Sequence, residues 1–332
     1  MMRASVDLGK HKLVGMRQPS LKACLLCEFF CTAFLMYVGL SFTAVDVLSN
    51  GSLGAFGNLA WGACLMMAIQ IGNHISGSQM NPAISIMLYA FGEMDLQRLG
   101  LYMAAQFWGA FVGSAGVFLV YYDAIDKFDG GMRTVRGPNA TAHIFATYPQ
   151  DYLSVMGGLF DQMSTTALLV ILIKAITHKT HGLPKAIHPY AIGTALTVLI
   201  TAFSKNCGAA LNPARDLGPR VFTFIAGYGW EVFSYNNYTW FWIPIVGPII
   251  GVFMGAFLYE YFIGNADEIK NKVVSNDEEN RAHSPPHMNI TPPPIVEIEK
   301  PFSMPLPAHM KMTRRQTIDG GAYYNGHPTI ME

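Results

Sequence analysis

Six stretches of lipid length and very low charge leave this chain few architectures to choose from. They run Leu21–Leu48, Gly57–Ile75, Leu99–Tyr122, Met156–Thr177, Pro189–Phe203 and Trp240–Ile263. A helix rising 1.5 Å per residue needs about 20 mainly apolar residues to cross a hydrocarbon core of about 30 Å. Lipid offers no partner to backbone N–H and C=O groups, so spanning segments pair them internally, and segments this long do so as helices. Two further apolar stretches open at Asn81 and Asn212 and reach about half of that thickness. They read as half-helices, and the backbone ahead of them survives at membrane depth only by lining a cavity. The expected fold is an all-α membrane protein with six transmembrane helices plus two re-entrant half-helices.

Charge placement divides the 332 residues. Only 13% are charged against 51% apolar, and the charges crowd into the two ends. The domain reading is a cytoplasmic N-terminal segment over 1–20, a channel domain over 21–264 and a disordered cytoplasmic tail over 265–332, rich in Pro, Asn, Glu and Lys. A polar stretch comes before the first span, so no secretory signal pattern is read there. The 22 basic and 22 acidic residues cancel, which argues against nucleic acid as a partner. Lys10, Lys12, Arg17 and Lys22 precede the first span, and Lys174, Lys179 and Lys185 fall between the fourth and fifth. The positive-inside rule makes that side, with both termini, cytoplasmic. Lys127, Arg133 and Arg136 dissent from the outer loop, which also holds four aspartates. Sequons at Asn50, Asn139 and Asn237 fall on the outer side, and a fourth at Asn289 falls on the tail. The outer sequons imply passage through the secretory route and hence the plasma membrane. Arg314-Arg315-Gln316-Thr317 resembles a basophilic kinase site.

The strongest motif is a duplication. Asn81-Pro82-Ala83 returns as Asn212-Pro213-Ala214, each opening a half-length apolar stretch behind two spans and ahead of a third. Three spans per copy is an odd number, so the two halves, about 21–122 and 156–264, insert upside down relative to each other. Inverted repeats place their functional site at the interface near the midplane. Asn is a preferred N-cap, and Pro at the first helical position loses nothing because that N–H is unpaired anyway. The Asn oxygen caps its own helix and leaves the NH₂ as a donor toward the pore. Two N-termini meeting centrally carry roughly one unit of positive charge between them. Cations are repelled, and a central water or hydroxyl oxygen accepts from Asn81 and Asn212. The loops before each motif, Gly72-Asn73-His74 and Asn206-Cys207-Gly208, are expected to present backbone carbonyls to the pore. His74 has pH sensing as its alternative role. Cys207, at the outer mouth, is a candidate for block by mercurials.

With these motifs the sequence resembles the aquaporin (major intrinsic protein) family over residues 21–264, and within it the glycerol-conducting branch. Arg215-Asp216-Leu217-Gly218-Pro219-Arg220 carries that resemblance, Asp216 being the branch marker. Pro244-Ile245, Tyr121 or Tyr122, and the loop His143 to Pro149 add to it. The resemblance implies passive diffusion of glycerol, other small neutral solutes such as urea, and water, in a lipid-embedded homotetramer without a cofactor. It implies a selectivity filter of Trp61, Ile200, Ala209 and Arg215. Trp61 would offer an apolar wall to a CH₂ backbone while Arg215 binds hydroxyls. Ala209 widens the site and Ile200 narrows it, with Thr201 the alternative if the register shifts by one. A strict water channel is the rival reading, favoured by Ile200 and opposed by Asp216 with Arg220. Glu28 would be costly facing lipid, and the resemblance implies that it supports the loop before a half-helix. Gln162, beside Asp161, occupies the corresponding region of the second repeat. Cys24-x-x-Cys27 lacks second ligands and reads as buried small hydrophobes. No paired acid and base or metal constellation emerges, so no enzyme, catalytic residue or metal is expected.

Overall fold

The computed structural model describes residues 19–264. Among the described residues ten α-helices follow one another: α1 Leu21–Leu48, α2 Ala55–Gly72, α3 Pro82–Ala90, α4 Leu96–Val120, α5 Tyr122–Asp129, α6 Val155–Thr177, α7 His188–Cys207, α8 Pro213–Thr223, α9 Glu231–Tyr238 and α10 Ile243–Tyr259. There is no strand among the described residues. Six segments built on α1, α2, α4, α6, α7 and α10 are long and apolar enough to cross a membrane. At 9 and 11 residues, α3 and α8 extend only about 14 and 17 Å and stop midway.

Helix starts follow local chemistry. Ser20, Asp95 and Ser154 accept the N–H three residues on from α1, α4 and α6. Asn81 and Asn212 cap α3 and α8, with Pro in the first position of each. The spans pair symmetrically: α1 packs on α4 within the first repeat, α6 on α10 within the second, and α2 meets α7 between them. Each half-helix lies against the last span of the opposite repeat, α3 on α10 and α8 on α4.

Small residues make these approaches possible. A Cβ on Gly113 of α4 would lie 2.6 Å from the Ala33 carbonyl of α1, and one on Gly251 of α10 would strike the Met163 carbonyl of α6. The exterior is apolar, with Leu26, Phe30, Leu119, Phe160, Val198 and Phe257 exposed. Outside and inside are thus both greasy, the arrangement that a bilayer demands and water would punish.

Several details depart from the sequence expectation. Span two ends at Gly72 rather than Ile75, and span five runs on to Cys207 rather than stopping at Phe203. Two short helices, α5 and α9, stand in the loops read as outer. The tail, including Asn289 and the Arg314–Thr317 motif, lies outside the described residues.

Candidate solute pathway

A cavity of about 1770 Å³ runs through the helix bundle. Asp46, Gly54, Arg136 and Tyr235 line it at one end, and Glu93, Lys174, Lys179 and Glu260 at the other. Asn81 and Asn212 line its middle.

The two motifs meet there in near-perfect symmetry. The Asn81 amide donates to the Leu211 carbonyl at 3.0 Å, and the Asn212 amide donates to the Met80 carbonyl at 2.8 Å. Each side-chain oxygen caps its own helix, Asn81 accepting from the Ala83 N–H at 3.0 Å and Asn212 from Ala214 and Arg215 at 3.0 and 3.2 Å. One hydrogen of each NH₂ is therefore spent on locking the half-helices together, and the other remains for the cavity. The cross-bonds were invisible in sequence, because they join residues 130 and 132 positions apart.

Ahead of each motif the backbone takes an unusual course, and the same one twice. Gly77, Ser78 and Met80 have positive φ, as do Gly208, Ala209 and Leu211, the positions four, three and one before each Asn. Left-handed conformations at non-glycine residues cost roughly 1–2 kcal/mol each, so four of them persist only under strong outside restraint. The wall of the cavity includes Ser76 to Met80 and Cys207 to Leu211.

That placement corrects part of the expected carbonyl ladder. Gly72 closes α2, and its carbonyl accepts from Ile75, Ser76 and the Cys27 thiol instead of facing the cavity. His74 is exposed and is not part of the cavity wall, whereas Asn73 is. Asn206 is also turned away, its carbonyl accepting from Gln150 and its amide donating to Asp161 at 2.9 Å. Cys207 and Gly208 do contribute to the wall. The Cys207 thiol, however, packs between Gln162 Nε2 at 3.1 Å and Asp161 Oδ1 at 3.4 Å, and the residue is 2% exposed. That geometry disfavours it as a mercurial target. Sequence set these loops too early, because Gly72 still belongs to α2 and Asn206 to α7, and the carbonyls of both are taken by backbone N–H groups.

The restraint on the first loop is Glu28, fully buried in α1. Its Oε1 accepts from the Ser76 hydroxyl at 2.6 Å and the Gln79 N–H at 2.9 Å. Its Oε2 accepts from the Met80 N–H at 2.8 Å and Gln106 Nε2 at 2.9 Å. Four donors surround a carboxylate that faces neither lipid nor solvent. In the second repeat Gln162 Oε1 accepts from the Leu211 N–H at 3.2 Å, while its Nε2 reaches Asp161 and Cys207. The same job is done by a neutral amide because a carboxylate and a sulfur are at hand to take its hydrogens.

Toward the end lined by Asp46, Gly54, Arg136 and Tyr235 four residues gather. Trp61 from α2 is anchored by Nε1 to the Thr43 hydroxyl at 3.1 Å, and its ring lies against Gly39, where any Cβ would come within 2.5 Å. The Arg215 guanidinium stands 4.9 Å from the Trp61 ring centre and donates to the Phe145 carbonyl at 2.9 Å. Ile200, Ala209 and Trp61 pack in one apolar cluster, and all four residues line the cavity. Thr201, the alternative by one-residue shift, is exposed on α7 and is not in the wall.

Sequence reasoning missed what steadies Arg215. Asp216 and Arg220 form a fully buried ion pair, with Nε and Nη2 at 2.9 and 2.7 Å from Asp216 Oδ1. The other Asp216 oxygen accepts from the Thr147 N–H at 2.8 Å and from the Thr147 hydroxyl. The Thr147 carbonyl in turn accepts from Arg220 at 2.6 Å and Trp240 Nε1 at 2.7 Å. Every polar atom of Thr147 is thus gripped, and Phe145, two residues earlier, is held where Arg215 can reach it. The only trace in sequence was the Asp-x-x-x-Arg spacing, which puts both side chains on one face of α8.

At the two mouths, partial desolvation by the surrounding wall pushes the His143 pKa below the ordinary histidine value, although the residue keeps an exposed edge. Burial also raises the Glu93 carboxyl, against the opposing pull of the Lys174 ammonium. Lys174 pairs with Glu260 at 3.0 Å. Asn50, Asn139 and Asn237 are all exposed.

Comparison with known proteins adds an independent finding. The family model described as "Major intrinsic protein" matches residues 16–259. Aquaporin-9 of Homo sapiens is 43% identical over 237 residues, covering 70% of this chain and 80% of the relative. Aquaporin-2 of Milnesium tardigradum is 41% identical over 259 residues, covering 76% and 79%. Aquaporin-10 of Homo sapiens is 37% identical over 241 residues, covering 72% and 80%. The X-ray structure of the aquaglyceroporin from Plasmodium falciparum superposes with a TM-score of 0.67 at 28% identity, covering 75% of this chain and 99% of that one. On sequence and fold together, this multi-pass membrane chain belongs to the major intrinsic protein family.

Proposed function

We propose that the chain is a passive channel conducting glycerol, other small neutral solutes including urea, and water, while excluding ions and protons. The observation that carries this reading is the meeting of Trp61 and Arg215 in the cavity wall, the guanidinium 4.9 Å from the ring centre. An aromatic face with Ile200 and Ala209 there adjoins a cation with hydrogen-bond donors, a match to a polyol with its CH and OH edges. The name of the solved relative, an aquaglyceroporin, supports it further. Trp61, Ile200, Ala209 and Arg215 act as the selectivity filter, and Asn81 and Asn212 act as central donors.

A solute oxygen at the centre accepts from the remaining amide hydrogens of Asn81 and Asn212. Having spent its lone pairs, it cannot relay a proton along the file. The two half-helix N-termini add roughly one positive charge there and repel cations. The carbonyls of residues 77–79 and 208–210 serve as acceptors along the path, those of Met80 and Leu211 being taken by Asn212 and Asn81. Asp216 acts through Thr147 and the Phe145 carbonyl to orient Arg215, which is the physical content of the branch marker.

The channel domain covers 21–264 as two inverted repeats, assembles as a homotetramer in lipid, and keeps both termini cytoplasmic. Its place is the plasma membrane, with Asn50, Asn139 and Asn237 as candidate glycan acceptors. Ile200 favours a strict water channel as the second reading, because its bulk lies in the narrow cluster with Trp61. Labelled-glycerol uptake into cells expressing the chain separates the two. Uptake well above that of mock cells, linear in concentration, is expected; uptake equal to mock with raised water permeability would hand the case to the water channel.

A further inference from the structure

Three of the five free cysteines lie along α1 and face the loop that leads to Asn81. The Cys24 thiol donates to the Ile75 carbonyl at 3.2 Å, Cys27 to the Gly72 carbonyl at 3.5 Å, and the Ser78 hydroxyl approaches Cys31 at 3.8 Å. Cys27 and Cys31 are one helical turn apart, with their sulfurs 3.9 Å from each other. Neither belongs to the cavity wall or to the Glu28 network.

A disulfide fits this spacing poorly. It needs Cβ atoms about 3.5–4.5 Å apart, whereas residues four apart on a helix hold theirs at about 5–6 Å. One bridging atom fits well. Two sulfurs bonded to a common centre at about 2.3 Å, the zinc–thiolate length, stand about 3.8 Å apart at the tetrahedral angle and about 3.4 Å apart at the narrower angle of a pyramidal trivalent centre, a closure that a small χ1 rotation of either cysteine supplies. Zinc itself wants four ligands, and among the described residues no group of three or more His, Cys, Asp or Glu gathers to hold a metal ion. The remaining neighbours here are a carbonyl and a hydroxyl. A soft centre satisfied by two sulfurs is required, and an organic trivalent arsenical is one.

We propose that Cys27 and Cys31 form a chelating dithiol site for a trivalent arsenical, seated behind the first pore loop. In the capture step both sulfurs bond to arsenic, and the As=O oxygen leaves as water carrying the two thiol protons. Arsenic stays trivalent, so no oxidant is consumed. Cys27 is half-buried and gives entry, and Cys31, fully buried, closes the ring. There is no slack toward the loop: a Cβ on Gly72 would lie 2.5 Å from the Cys27 sulfur, 2.6 Å from the Cys31 sulfur and 2.5 Å from the Ser78 hydroxyl. Ser78 is in the cavity wall. An occupied site therefore pushes on the loop and reduces flux. This effect on flux rests on the function proposed above; the capture does not.

The test uses the full-length purified channel with phenylarsine oxide as probe, read by intact mass and by glycerol flux after reconstitution. One adduct per chain is expected, removed by 2,3-dimercaptopropanol but not by 2-mercaptoethanol. It should be absent from Cys27→Ser and from Cys31→Ser, and retained in Cys64→Ser and Cys207→Ser. Flux should fall severalfold in the native channel and not in the two non-binding variants. Cys27→Ala serves as a second variant where the serine disturbs folding, judged by elution as a single species. No adduct, or one that survives either α1 substitution, overturns the site. An adduct without loss of flux overturns its coupling to the loop. Native flux before the reagent reports separately on the channel function.

Discussion

Replacing Glu28 by Gln tests whether a buried charge is what holds the first pore loop in its strained course. The carboxylate takes four donors, two on each oxygen. An amide of the same shape keeps one oxygen and turns the other into a donor facing two donors. The arrangement of least cost puts the NH₂ against Ser76, whose hydroxyl can turn to accept, and leaves the Gln79 N–H orphaned. A buried backbone donor without a partner costs about 1–3 kcal/mol. In the equilibrium between held and released loop that is about 5- to 150-fold. Gln162 escapes this cost in the second repeat because Asp161 and Cys207 receive its Nε2 hydrogens. Hydrogen–deuterium exchange over residues 76–82 reads the outcome directly: Glu28→Gln should speed exchange in this loop by that factor and leave 208–213 unchanged. Unchanged exchange in 76–82, in a variant that folds and conducts normally, would refute the claim that the carboxylate restrains the loop.

Other consequences follow from the half that holds Arg215. Asp216→Asn leaves the Arg220 charge buried without its partner, a cost of about 3–5 kcal/mol, and should lower thermal stability in detergent sharply. The pair Asp216→Leu with Arg220→Met should recover most of that stability but not glycerol flux, because the Thr147 N–H and hydroxyl stay without their acceptor and only Trp240 still holds its carbonyl; recovery of both would separate the clamp from the filter. Gly39→Ala drives a methyl group into the Trp61 ring and should reduce glycerol permeability more than water permeability, measured on the same vesicles. Desolvation by the cavity mouth lowers the pKa of the partly exposed His143, so the neutral ring is favoured at its ordinary titration point near 6.5. Glycerol flux should therefore be flat from pH 8 to 6.5, and a step in that range that disappears in His143→Asn would contradict the assignment.

The spans were legible because lipid length and absence of charge leave a chain no other way to pair its backbone. The half-helices were legible because Asn followed by Pro is a helix start whatever surrounds it. Contacts between distant residues were not. Nothing near Asn81 in sequence points to the Leu211 carbonyl, and nothing near Asp216 points to Thr147. The loop carbonyls were misplaced by several residues because nothing local marks where α2 and α7 stop; the positive φ at Ser78, Met80, Ala209 and Leu211 has no local signature either, Glu28 and Gln162 holding the Met80 and Leu211 N–H groups from a distance. Gly72 looked like part of a pore loop and instead makes room for two sulfurs. Short α5 and α9 escaped notice because charged and polar loops hide brief helices. The choice between Ile200 and Thr201 needed the rotation of α7, which a one-residue uncertainty in sequence cannot fix.

The most direct measurement is stopped-flow light scattering on proteoliposomes of the purified chain, following water efflux and glycerol entry in the same preparation beside Arg215→Ala. Glycerol entry far above that of empty vesicles, with a low activation energy and altered selectivity in the Arg215 variant, is the predicted result. Fast water movement with glycerol entry no faster than in empty vesicles would mean that Ile200 closes the filter to polyols, and the glycerol channel reading would be wrong.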